Sequence, residues 1–277
     1  MLFQFILPVI LIYLGCQSQT QKQVDDKTVS ASQDTIPLTP DTLPEPVIIA
    51  AVPTSEFSVD YIMGHFDPAV HPDFEEIDIR YADRAGMYLR KDAYQAFREM
   101  YQHALVDGIR LQIRSATRNF NYQKGIWEAK WTGERLIESG ENLAETTPDP
   151  KSRALKILRY SSMPGTSRHH WGTDIDLNSF ENSWFEKGEG LDIYNWLSAH
   201  AHKHGFCQPY TAGRPSGYLE ERWHWSYLPV SVKLTKLARE SLKNEMIKGF
   251  LGSETAAMID VVNKYVLAIN EDCLEEK

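Results

Sequence analysis

Positive charge is in deficit in this 277-residue chain: 29 Lys and Arg against 38 Asp and Glu leave a net charge of −9. A nucleic-acid binder needs a basic face to replace phosphate counterions, so that class of function is set aside. A long apolar run is missing too. The opening residues MLFQFILPVILIYLGC are nearly all apolar, yet they stop short of the roughly 20 residues needed to span a bilayer. Cysteine is scarce, at three residues, and no internal repeat is visible. What the chain does have is 42% hydrophobic residues, enough for a sizeable core in one ordinary domain with tails or in two small ones.

The apolar opening run reads as the h-region of an export signal. Its end, Leu14-Gly15-Cys16, resembles the lipobox of a bacterial lipoprotein signal, in which the cysteine carries lipid. No Lys or Arg precedes the run, and Tyr13 stands where the lipobox usually carries Leu. A plain secretory signal or a short retained anchor is the alternative. With Cys16 lipidated, Cys207 and Cys273 remain as an even pair in an oxidising compartment. They are expected either as a disulfide tying down the C-terminal tail or as two buried thiols.

Residues 17–56 are rich in Ser, Thr, Gln, Asp and Pro and have no sustained period. They read as a disordered tether reaching, at about 3 Å per residue, well over 100 Å at the limit. The predicted organisation is a signal segment at 1–16, a linker at 17–56 and a folded domain at 57–277. Within it, residues 91–107 carry apolar positions at helical spacing, with Asp92 as N-cap and Gly108 as stop. Residues 109–115 alternate as a half-buried strand. A second helix is predicted over 121–138, with Trp127 and Trp131 in the core, and a loop over 139–151. Strands are expected at 173–177 and 222–228. Helices are expected at 190–204, 231–248 and 255–268. His200, His202 and His204 read as a solvated helix end, because i and i+2 do not share a helix face.

Two stretches carry chemistry. One is Ser167-Arg168-His169-His170-Trp171-Gly172-Thr173-Asp174-Ile175-Asp176, and the other is Glu221-Arg222-Trp223-His224. Zinc catalysis needs about three N or O ligands and one open position. A loop His, a strand Asp and a His from a distant strand supply such a set, and a Glu three residues before the last His suits a base for water. Strand alternation points Asp174 and Asp176 to one face, and Ile175 and Leu177 to the other. Two carboxylates beside a histidine call for a cation. A polar sheet edge with hydrogen-bonded Asp residues is the other reading that spacing leaves open.

The first stretch resembles the S-x-H-x-x-G-x-A-x-D motif of the VanY-like D-alanyl-D-alanine carboxypeptidases. Ser167, His169, Gly172 and Asp176 stand at its defined positions, and Asp174 replaces its Ala. The second stretch resembles the family's E-x-W-H motif through Glu221, Trp223 and His224. A third, residues 115–123, is similar to the S-G-Y-R-S-x-x-x-Q segment: Ser115, Arg118 and Gln123 match, while Ala116, Thr117 and Asn119 differ. The three occur in the family's order between Ser115 and His224.

The resemblance implies zinc (Zn2+) held by His169, Asp176 and His224, with Glu221 as general base. Arg118 would bind the scissile carbonyl or the substrate carboxylate. Ser115, Gln123, Ser167, Asp174 and Trp225 are expected to contact substrate, with Asp174 steering a substrate ammonium or orienting His169. Trp171 and Trp223 would line or support the cleft, and His170 is the alternative ligand to His169. The fold implied is α+β, a small antiparallel sheet carrying the metal with helices around it, as in lysostaphin-type endopeptidases and the hedgehog signalling domain. The expected activity is hydrolysis of D-alanine-containing bonds in peptidoglycan stem peptides. The expected protein is a monomeric, exported lipoprotein facing the periplasm or cell wall. A peptidoglycan endopeptidase and a non-catalytic wall-binding lipoprotein of the same fold are the rival readings.

Overall fold

The alternating stretch Asp174-Ile175-Asp176-Leu177 forms a strand, β4 (Asp174–Leu177), an inner strand of the larger sheet. The computed structural model describes residues 57–275. The expected signal segment, Cys16 and the expected tether at 17–56 lie outside the described residues.

The elements run α1 (Val59–Ile62), β1 (Phe74–Glu76), β2 (Tyr88–Arg90), α2 (Lys91–Val106), β3 (Ile113–Ser115), α3 (Phe120–Trp131), α4 (Leu143–Thr146), α5 (Pro150–Ile157), β4, α6 (Gly188–His200), β5 (Phe206–Cys207), β6 (His224–Tyr227), α7 (Leu228–Ser241) and α8 (Thr255–Ile259). β1 and β2 form an antiparallel pair. The four-stranded sheet has the order β3-β4-β6-β5, all antiparallel. The architecture is therefore α+β.

Side-chain alternation divides the sheet. Ile113, Ile175, Leu177, Phe206 and Trp225 join one core with Phe97 and Met100 of α2 and Ile193 and Leu197 of α6. Asp174, Asp176, His224 and Ser226 point the other way. A second core packs α1, α3, α5, α7 and α8 through residues such as Trp127, Ile157 and Leu234.

Several expected elements are shorter than their apolar spacing suggests. The helix predicted over 121–138 ends at Trp131, because Gly133 turns the chain at φ 78°. The loop predicted over 139–151 holds α4 and the start of α5. Asn142 caps α4, and the Asp149 carboxylate accepts from Ser152 N with Pro150 at the first turn of α5. α2 begins at Lys91, so Asp92 sits inside the first turn rather than capping it. Instead of spanning 231–248, α7 starts at Leu228 and stops where Leu242 turns extended into the core. The helix expected over 255–268 breaks at Asp260, φ 59°, whose carboxylate accepts from Asn244 and Asn263. Cys207 and Cys273 form a disulfide, which fastens the C-terminal tail to β5.

Candidate active site

Strand register assembles the site. Asp176 lies opposite His224, Asp174 opposite Ser226, and Ser115 of β3 opposite Asp176. Their side chains share one face of the sheet. His169 arrives from a 3-10 turn, Arg168–Trp171, that ends on Gly172 at φ 73°. A Cβ at Gly172 would lie 2.3 Å from the Phe74 ring, so only glycine lets the chain turn here into β4.

His169 Nδ1–H donates to Ala116 O at 2.8 Å, leaving Nε2 as the free lone pair, 3.2 Å from Asp176 Oδ2. His224 Nδ1 stands 3.2 Å from Asp176 Oδ1 and 3.2 Å from Glu221 Oε2. One ligand atom each from His169, Asp176 and His224 lies within 4.8 Å of the other two, and all three residues are buried. His169 Nε2 and Asp176 Oδ1 accept no hydrogen bond. Buried polar atoms are normally satisfied, and two imidazole nitrogens with a carboxylate oxygen form a donor set that zinc binds. The residues thus fit a zinc ion.

The electrostatics make the same demand. Burial works against the charge on Asp176, but His169 and His224 outweigh it and hold the carboxyl well below the usual range. Burial likewise opposes charge on His224, yet its hydrogen bond to Asp174 and the Asp176 and Glu221 carboxylates beside Nδ1 raise it well above its ordinary value. Three carboxylates thus converge on one imidazole and favour positive charge there. Burial and then the Arg118 guanidinium push His169 down, which keeps its lone pair available. Burial raises Glu221, against the pull of His224.

A cleft of about 920 Å³ opens over these groups. Ser115, Arg118, His169, Asp176, Glu221 and Trp223 line it. Seven Arg and Lys side chains on its walls, against four Asp and Glu, make its local charge positive in an acidic chain, a field suited to anionic substrates. One of them, Lys130, is 2% exposed and is bonded to Glu138 and Ser161.

Four residues expected to touch substrate lie elsewhere. Trp225 alternates away from His224 into the α2–α6 core. Gln123 is buried and donates to Ser162 O at 2.8 Å, so it ties α3 to the chain after α5. Ser167 is 1% exposed beneath the His169 turn. Asp174 is 0% exposed; its Oδ2 accepts from His224 Nε2 at 2.7 Å, so it adjoins His224 rather than His169 or the cleft. His170 is no alternative ligand. Its Nε2 accepts from Gly165 N at 3.0 Å and its Nδ1 donates to Arg118 O, which engages both nitrogens. Trp171 is a core residue whose Nε1 donates to Ile62 O.

Sequence reasoning missed Arg168, Tyr210 and Gln208. Arg168 occupies an unspecified motif position and pairs with Asp174. The Tyr210 ring lies 4.6 Å from that of His224. Gln208 Nε2 donates to Glu221 O at 3.1 Å and so braces the expected base. Arg168 could have been suspected as the partner of the extra carboxylate Asp174. Tyr210 and Gln208 have no signal in spacing.

Comparison with known proteins gives the same direction. YodJ, a candidate carboxypeptidase of Bacillus subtilis (strain 168), is 26% identical over 211 residues, covering 73% of this chain and 67% of YodJ. An uncharacterized Haemophilus influenzae protein is 35% identical over 78 residues, 27% of this chain and 53% of that protein. Among solved structures, the D,D-pentapeptidase VanY of the VanB-type vancomycin resistance cassette, in complex with Zn(II), aligns at 20% identity and TM-score 0.45. That alignment covers 62% of this chain and 86% of VanY. The LD-carboxypeptidase LdcB aligns at 20% identity and TM-score 0.45, over 64% of this chain and 76% of LdcB. The family model for VanY, D-alanyl-D-alanine carboxypeptidase, matches residues 86–230, the stretch that holds all three motifs and the whole ligand set. With that match covering more than half its length, the chain belongs to the VanY D-alanyl-D-alanine carboxypeptidase family, a family of peptidases.

Proposed function

We propose that this protein is a zinc-dependent D-alanyl-D-alanine carboxypeptidase that trims D-alanine from peptidoglycan stem peptides. The observation that carries this reading is the convergence of ligand atoms from His169, Asp176 and His224 within 4.8 Å, beside Glu221 on the floor of a cationic cleft. Bound there, zinc supplies Lewis acidity toward a carbonyl and a lowered pKa for water. Glu221 takes the proton of the attacking water on its carboxylate and returns it to the leaving amine. Its buried position raises its basicity for that exchange. Arg118, on the cleft wall, donates to the oxygen on which negative charge develops or to the terminal carboxylate of the peptide. Ser115, next to Asp176, offers a hydroxyl to the substrate backbone.

The location proposed is outside the cytoplasm, on a lipid attached to Cys16, with 17–56 as the tether and the enzyme working as a monomer. The disulfide suits an oxidising compartment. Labelled fatty acid incorporated into wild type and lost in Cys16→Ala would support the anchor; no incorporation into wild type removes it.

Digestion of purified muropeptides tests the activity. Release of single alanine residues from stems ending in D-alanyl-D-alanine is the expected result. Cleaved crosslinks without alanine release would make the enzyme an endopeptidase instead. Glu221→Gln is expected to lose about a hundred- to ten-thousand-fold in turnover while still holding one zinc per chain. Wild type and variant equally inactive on every wall fragment would leave only a binding role.

A further inference from the structure

Asp174 stands where the family motif carries Ala, so its carboxylate does something that a methyl group does not. The side chain is fully buried and makes four short contacts. Oδ2 accepts from His224 Nε2 at 2.7 Å and from Arg168 Nε at 3.1 Å. Oδ1 accepts from Thr173 Oγ1 and from Ser226 Oγ, at 2.7 Å each. Arg168 is buried as well. Its Nη1 donates to Thr235 Oγ1 at 3.0 Å and its Nη2 to Ser226 Oγ at 2.8 Å, while the guanidinium lies 4.3 Å over the Trp171 ring.

Three roles are open to such a carboxylate. Steering a substrate ammonium requires access to the cleft, and Asp174 has none. A purely structural ion pair is a poor use of two buried charges, because apolar residues of like volume commonly fill such a site without loss of stability. Holding a metal-binding imidazole is the role the geometry serves. A neutral imidazole carries one proton, and His224 can offer Nδ1 to a metal only when that proton sits on Nε2. An ionised carboxylate is an acceptor and nothing else, so at 2.7 Å from Nε2 it selects that tautomer. Its negative charge also makes Nδ1 a better donor to the metal. Arg168, Thr173 and Ser226 occupy the remaining lone pairs and so keep the carboxylate from rotating.

We infer that Arg168 and Asp174 are a positioning pair that fixes the tautomer and ring plane of His224 and thereby tightens its hold on zinc. This rests on the zinc reading given above. The pair touches neither substrate nor cleft and acts through His224 alone.

The discriminating variant removes both charges together, Arg168→Met with Asp174→Asn, so that no lone charge is left in the core. Zinc affinity by chelator competition and unfolding of the zinc-free protein are measured side by side. The expected result is a folded protein that unfolds near the wild-type midpoint but binds zinc about ten- to a hundred-fold more weakly. Zinc affinity within about twofold of wild type would overturn the positioning role while leaving the zinc reading intact. A wild type that binds no zinc would overturn both. A second measurement on zinc-loaded wild type covers the case in which the double variant does not fold. Nitrogen-15 imidazole spectra should place the His224 proton on Nε2, slow to exchange; a proton on Nδ1 overturns the inference.

Discussion

His170 and His169 are neighbours in sequence, yet their surroundings differ. His169 keeps one nitrogen free beside Asp176, whereas His170 spends both on the backbone at Gly165 and Arg118. Burial pushes His170 down to about 3, and its hydrogen bond to the Arg118 carbonyl offsets only part of that. The folded state therefore holds a neutral ring where the unfolded chain would take up a proton near 6.5. The stability that this provides is complete above pH 6.5 and is lost as pH falls toward 3, by up to about 1.4 kcal/mol per pH unit. His170→Gln should lower stability at neutral pH but flatten the decline between pH 6.5 and 4. Urea midpoints against pH for the two proteins check this, and parallel slopes would contradict it. The candidate ligand set was legible at this scale because two motifs name its residues, and the fold brings them together. Motif spacing to Asp176 favoured His169 over His170, but the partners that occupy both His170 nitrogens, an amide and a carbonyl, have no mark in the sequence.

At the scale of elements, the short turns do more for the site than the helices do. The turn from His169 to β4 needs Gly172 in the left-handed region, with the Phe74 ring and Arg90 Cγ packed where a side chain would start. Gly172→Ala is expected to cost about 2–4 kcal/mol, from backbone strain plus overpacking. Because the strain lies between His169 and Asp176, zinc stoichiometry should fall along with the urea midpoint. A stable variant with full zinc would show that the turn tolerates a side chain. Local signals also explain the element boundaries that apolar spacing misplaced. Leu136 and Ile137 prolong the helical pattern past Gly133, but a glycine with positive φ ends the helix whatever follows. Pro150 reads as a loop residue until Asp149 is recognised as its cap, after which the same two residues start α5.

For the whole molecule, the disulfide spans 66 residues between Cys207 and Cys273. It joins β5, the strand beside β6, to the C-terminal tail, which Asn270 N also ties to Pro209 O at 2.8 Å. Chain entropy assigns such a loop about 4 kcal/mol, or about 10 °C in thermal midpoint for a domain of this size. The double variant Cys207→Ser, Cys273→Ser should unfold lower by that amount and still bind zinc at low temperature, since His169 and Asp176 lie outside the closed segment and His224 is held in β6 by its pairing with β4. An unchanged midpoint would mean that the tail is held by packing alone. Charge is also a whole-molecule property here. The chain is acidic overall, yet the fold gathers Arg84, Arg114, Arg118, Lys130, Arg135, Lys156 and Arg159 around one cleft. Composition argued against nucleic acid, but it could not reveal a local field of the opposite sign.

By itself the sequence marked out the residues of the candidate site. Period-two alternation put Asp174 and Asp176 on one face, and resemblance to two family motifs pointed to two histidines, an aspartate and a glutamate. Tertiary structure alone decided who meets whom. Alternation says which face a side chain takes, but strand register sets its neighbour. Pairing β4 with β6 placed Asp176 across from His224, and Asp174 against His224 Nε2 rather than against substrate. The same register sent Trp225 into the core. Partners so far apart in the chain are chosen by the packing of the whole sheet, and no local pattern carries that choice.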